Sequence, residues 1–137
     1  MALTYSTDAQ VQARTPLADE ALAAVNAARA RRSLTARTLS DWRVDAQTEI
    51  DRVLLRRGIT AEMVSRPDDL IPSEVALVLT LLCEAATQLP SVTAAGRVDM
   101  FAQNAVFWCE TYTREIEAAS TILGVKGSGR SFAGSRA

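Results

Sequence analysis

The sequence predicts an all-α fold: a small helical domain of about five helices followed by an extended C-terminal arm. Three observations lead there. Apolar residues recur at helical spacing through every long segment. No stretch alternates apolar with polar side chains, and no hairpin dipeptide appears. At 137 residues, 48% apolar and 23% charged, the chain has enough material for one buried core.

The first element opens at Tyr5-Ser6-Thr7-Asp8, where Ser6 or Thr7 can cap a short helix. A second starts at Thr15-Pro16: threonine caps, proline suits the first helical position, and Asp19 and Glu20 complement the dipole. Its apolar stripe is Leu17, Ala21, Leu22, Val25 and Ala28, and Arg29, Arg31 and Arg32 gather at its C-terminal end. Ser33 to Thr38 is a polar connection, from which Thr38 or Ser40 caps a third helix reaching Arg57. Trp42, Ala46, Ile50, Val53 and Leu54 form its inner stripe, Glu49 and Arg52 are spaced to pair, and Gly58 supplies the stop. Ile59 to Asp69 is a second connection, with room for one helical turn after Thr60.

The fourth helix begins near Asp69 and Pro72 and ends before Pro90. Val75, Val78, Leu79, Leu82, Ala86 and Leu89 form one face, and Leu77, Leu81 and Ala85 another. A helix apolar on two faces is central or lies in an oligomer interface. Its densest run, Val75 to Cys83, is too short to span a bilayer. The fifth helix is expected from about Ala95 to Leu123, closed by Gly124. Its stripe is Val98, Phe101, Ala105, Trp108, Tyr112, Ile116, Ala119 and Leu123, with Val106, Cys109 and Thr113 alongside. At 1.5 Å per residue it is about 40 Å long, more than a small single-layer core requires. Part of it is therefore expected to meet another subunit.

Residues 1–124 then form the helical domain and 125–137 the arm. The arm reads VKGSGRSFAGSRA, with Lys126, Arg130 and Arg136, no acid, three glycines and one large apolar side chain, Phe132. Alone in water it cannot bury enough surface to offset its ordering entropy. Lys126, Arg130, Phe132 and Arg136 are the candidate partner-binding residues, with Phe132 as anchor. Of 15 basic residues the arm holds three, leaving 12 against 16 acidic in the body, a net −4. An acidic body with a basic arm suits docking on an acidic surface better than general nucleic-acid binding.

Catalytic chemistry has little to work with. The chain lacks histidine, the commonest general acid–base and metal-ligating group. Cys83 and Cys109 lie in separate helical patterns among apolar neighbours and read as buried reduced thiols. No phosphate-binding loop precedes a helix, and the glycines of the arm follow the last one. Asp68-Asp69 suits turn formation, Glu110 and Glu115 suit exposed helix positions, and Trp42, Trp108 and Tyr112 fall on core stripes. We expect no enzyme, cofactor, metal site or export signal.

This order of elements resembles the head–tail connector, or adaptor, proteins of tailed bacteriophages. The resembling features are the Tyr5-Ser6-Thr7-Asp8 start, the helix containing Ala46-Gln47-Thr48-Glu49-Ile50-Asp51-Arg52-Val53-Leu54 closed by Arg57-Gly58, and the leucine-rich helix led by Pro72. A long last helix and a terminal arm complete it. The arginine-rich stretch from Ala27 to Arg37 is longer than that family usually carries. The resemblance implies a homo-oligomeric ring, twelvefold in the family, at the head–tail junction of a virion assembled from subunits made in the host cytoplasm. It implies that the arm grips the portal protein, that the other end receives the next tail or neck component, and that double-stranded DNA passes through the lumen. No membrane is involved. An acidic wall would not retain phosphates in transit. The alternative is a small helical DNA-binding or regulatory protein that places Arg29, Arg31, Arg32 and the tail on phosphates.

Overall fold

The computed structural model describes residues 5–60, 64, 67–89 and 98–127, and among them the architecture is all-α, as expected. Five α-helices follow in order: α1 Asp8–Arg14, α2 Leu17–Arg31, α3 Leu39–Arg56, α4 Ile71–Thr87 and α5 Val98–Gly127, with a 3-10 turn at Pro67–Leu70 leading into α4. The turn expected after Thr60 and the start of α5 at Ala95 lie outside the described residues.

Local chemistry sets the helix ends. Thr7 caps α1 in a capping box: its hydroxyl accepts from Gln10 N (3.2 Å) while Gln10 Oε1 accepts from Thr7 N (2.9 Å). Thr15 Oγ1 accepts from Leu17 N at the head of α2, with Pro16 already helical in φ and ψ. Thr38 and Asp41 repeat the reciprocal box at α3. α3 ends in a Schellman motif: Ile59 N donates to Leu54 O and Gly58 N to Leu55 O, both at 2.9 Å, with Gly58 at φ +78°. α2 ends in the same way, except that the left-handed position is Ser33, at φ +58°.

α4 is the hub. Ser73 through Thr80, Leu82, Cys83 and Ala86 are all buried, and α1, α2, α3 and α5 each pack on it. α4 is thus the central helix, with Leu81, Ala85 and Leu89 half-buried on its apolar faces. The continuous helical stretch Asp68–Thr87 is 20 residues long and by length and composition would suffice to cross a bilayer, contrary to the shorter reading of the sequence. Two thirds of it is enclosed by the other helices, which is the ordinary situation of a core helix.

α5 runs antiparallel to α4: Ala105 and Cys109 lie near Glu84, whereas Thr111 and Glu115 lie near Ile71 and Pro72. The α5 stripe is buried from Phe101 through Leu123, with Tyr112 half-buried. Gly124 does not close the helix. Leu123, fully buried, holds the last turns onto the domain, and the backbone stays helical through Gly127. Lys126 thus belongs to α5, and residues 128–137 lie outside the described residues. Cys109 also departs from expectation: one step off the core stripe, it is exposed, while Cys83 is buried.

The N-terminal segment is fastened by a buried carboxylate. Glu74, on α4 and fully buried, accepts from Ser6 N (2.9 Å), Tyr5 N (3.1 Å) and the Ser6 hydroxyl. Tyr5 OH donates to Asp51 on α3 (2.5 Å), and burial raises the phenol above its ordinary range. Arg43 completes the clasp: Nε donates to Asp8 Oδ1 (2.6 Å), Nη1 to Ser6 O (2.5 Å) and Nη2 to Ser40 Oγ (3.0 Å). Every residue of the Tyr5–Asp8 start is used, and α1 is thereby fixed beside α4.

Candidate functional site

Of the four candidate partner-binding residues, Lys126 lies in the last turn of α5; Arg130, Phe132 and Arg136 lie outside the described residues. The structure therefore gives the arm's point of departure, the end of a 30-residue helix about 45 Å long.

The fastening of α1 creates a second feature. α1, the start of α4 and the middle of α5 leave a groove of about 440 Å³ between them. Ile71, Pro72, Val75, Ala76 and Trp108 make it apolar, and Ala13 forms part of the α1 wall. Arg14 and Glu115 stand at its rim from opposite walls. The Arg14 guanidinium lies 5.1 Å from the Trp108 ring centroid, a cation–π contact that closes one end. The Trp108 side chain is buried, yet its indole N–H has no acceptor among the described residues.

Exposed apolar side chains extend the groove. Phe107, 54% exposed, packs edge-on against Trp108 with ring centroids 4.8 Å apart. Ile122, 46% exposed, stands seven residues beyond Glu115 and so on the same flank of α5. Trp108, Glu115 and Ile122 repeat every seven residues, a seam beside the core stripe. That repeat was the only sequence signal for the groove; its other walls come from chain segments distant in sequence. Elsewhere Val106 on α5 and Leu55 on α3 are exposed singly.

The arginine cluster is partly committed. Arg29 Nε donates to Thr35 O (2.7 Å), and Arg37 pairs with Asp45 (2.6 Å) while lying over Trp42, 4.5 Å from its centroid. Asn26 clamps the connection by donating to Arg37 O and accepting from Arg37 N, each at 2.8 Å. Farther along, Arg52 pairs with Glu49 as its spacing predicts, and Arg57 with Glu117 on α5. Trp42 and Trp108 are core residues with cationic lids rather than an open stacking platform. Burial, with a smaller contribution from Glu84, pushes the Cys83 thiol up to about 11, so it stays protonated at neutral pH. Among the described residues no three acidic or cysteine side chains converge as metal ligands. Comparisons with family models, with curated proteins and with solved structures give no match.

Proposed function

We propose that this protein is a structural virion component, a homo-oligomeric ring that joins the capsid portal to the tail and lets double-stranded DNA pass. The observation that carries the reading is the order of elements. A Tyr5–Asp8 start, an α3 closed at Gly58, a Pro72-led helix and a long last helix give the order of elements on which the resemblance to connector proteins rests. Two features support it. The basic C-terminal segment continues from a 30-residue helix, the kind of stalk an attachment element needs. The body's surplus of four acids suits the wall of a channel through which DNA moves without being held.

The alternative, a helical DNA-binding protein, rests on Arg29, Arg31 and Arg32. The bond from Arg29 to Thr35 O and the Arg37–Asp45 pair weaken it, since guanidinium groups already engaged have less to offer phosphate. One measurement separates the two: native mass of the purified chain with and without random duplex DNA, followed by imaging of any large species. A ring that ignores DNA supports the connector. A species that remains monomeric at every concentration and binds duplex at micromolar level, with the binding lost on Arg29, Arg31 and Arg32→Ala, overturns it.

A further inference from the structure

We infer that the groove between α1, α4 and α5 receives Phe132 from the C-terminal segment of a second copy of this chain. The inference rests on the ring reading, gives Phe132 to a neighbouring copy in place of the portal contact the resemblance implies, and specifies the contact that would build the ring. Reach decides which copy supplies the phenylalanine. Phe132 is five residues past Gly127, and five fully extended residues span at most about 18 Å. Along α5, Gly127 is already about 18 Å beyond Glu115 and about 28 Å beyond Trp108. A segment folding back must also use residues on the turn. A chain's own Phe132 therefore stops short of the apolar floor, whereas a neighbour's approaches it without that limit.

The chemistry matches on two counts. The groove is apolar, and Phe132 is the one large apolar side chain past Val125. Arg130 and Arg136 flank it, and Glu115 lines the groove to meet one of them, while the like-charged Arg14 is held over the Trp108 ring. Ile122 and Phe107 continue the apolar track outside the groove. Because the donor surface is the C-terminal segment and the acceptor surface is the groove, the contact is heterologous. Each copy gives one and takes one, the kind of contact that repeats into a ring when the rotation between copies closes the circle.

A cysteine pair in the full-length chain tests this. Ala13→Cys puts a thiol on the exposed α1 wall of the groove and Ala133→Cys puts one beside the anchor, which stays in place; Cys109→Ser removes the exposed native thiol, while Cys83 is buried. Mild oxidation should give a ladder of covalent multimers on a non-reducing gel. Neither single variant should give one. Without oxidation, Phe132→Ala should weaken self-association by about ten- to a hundredfold, the consequence of leaving one buried phenylalanine out. A monomer of altered mobility, meaning closure within one chain, overturns the inference. So does the absence of cross-links while native mass still reports a ring; that outcome sends the segment to another partner such as the portal and leaves the ring standing. Absence of both cross-links and ring overturns the two readings together.

Discussion

Removing the Glu74 carboxylate is the sharpest test of how the domain is assembled. Glu74→Ala deprives three donors of their acceptor: Ser6 N, Tyr5 N and the Ser6 hydroxyl. Hydrogen bonds to a charged group contribute about 1.5–3 kcal/mol each, so loss of all three sets an upper bound of about 4–9 kcal/mol. The N-terminal segment can relieve part of this by swinging into water. Doing so also undocks Tyr5 and the fully buried Val11, at a cost of about 1.5–3 kcal/mol for each side chain that had been buried. The two routes converge on an expected loss of about 3–5 kcal/mol. With a urea m-value of about 2 kcal/mol/M, the unfolding midpoint falls by about 1.5–2.5 M. Glu74→Gln discriminates further. An amide oxygen in the Oε1 position keeps both Ser6 bonds and loses only the one from Tyr5 N, so the cost should drop to about 1–2 kcal/mol. Equilibrium urea titration followed by circular dichroism reads both variants. An alanine variant within 1 kcal/mol of the parent would show that the clasp does not hold the domain. A glutamine variant as damaged as the alanine one would show that charge, not acceptor geometry, carries the effect.

Other expectations are quick to check. Ser33→Gly should stabilise the protein by about 0.5–1 kcal/mol, because Ser33 holds the left-handed position of a helix-ending motif that glycine fills at lower cost. Gly58→Ala at the equivalent position of α3 should destabilise by about 1 kcal/mol, through its φ of +78° alone, since an added Cβ would meet nothing within 4 Å. In the native state a thiol reagent should modify Cys109 alone, and Cys83 should join it only in denaturant; rapid modification of both would contradict the burial of Cys83. The Thr38 N–H holds the Asp41 carboxyl below its ordinary range, so its contribution to stability is present above the unfolded-state value near 4 and is lost as pH falls through the lower folded value. Asp41→Asn should accordingly flatten the acid limb of a stability–pH curve, and an unchanged limb would contradict the capping box.

The helices were legible because their signals are local. Thr7 and Thr38 cap where short polar residues precede apolar periodicity, and Gly58 ends α3 where the chain needs a positive φ. Two ends were read less well for physical reasons. A serine in the left-handed position carries no sequence mark, so the stop at Ser33 showed only as polar composition. Gly124 carried the mark without the conformation. A glycine inside a helix costs about 1 kcal/mol, which the burial of Leu123 just before it is large enough to offset. The two faces of α4 were likewise legible as faces to be buried; which surface buries them depends on how four other helices wrap around it, and periodicity along one helix does not contain that.

The groove lies further from the sequence because it depends on one residue whose type points the wrong way. A glutamate in the first turn of an apolar helix reads as a solvated, dipole-complementing charge. Here Glu74 is turned inward and binds the backbone of a segment 68 residues away, and that bond sets where α1 rests. Without it α1 loses its hydrogen-bonded link to α4, and the Arg43–Asp8 and Tyr5–Asp51 bonds to α3 and the burial of Val11 are left to keep Ala13 and Arg14 facing Pro72 and Trp108. The docking surface proposed for a neighbour's Phe132 is thus a consequence of the same buried carboxylate that stabilises the domain. The two effects remain separable by experiment. A variant of the proposed occupant, Phe132→Ala, leaves the clasp intact and should alter assembly alone, while Glu74→Gln weakens the clasp and should alter both stability and the groove's affinity for the segment. If Glu74→Gln lowered stability and left self-association at full strength, the α1 wall would not be part of the contact, and the ring would have to be built from the exposed Phe107, Ile122 and Leu55 surfaces instead.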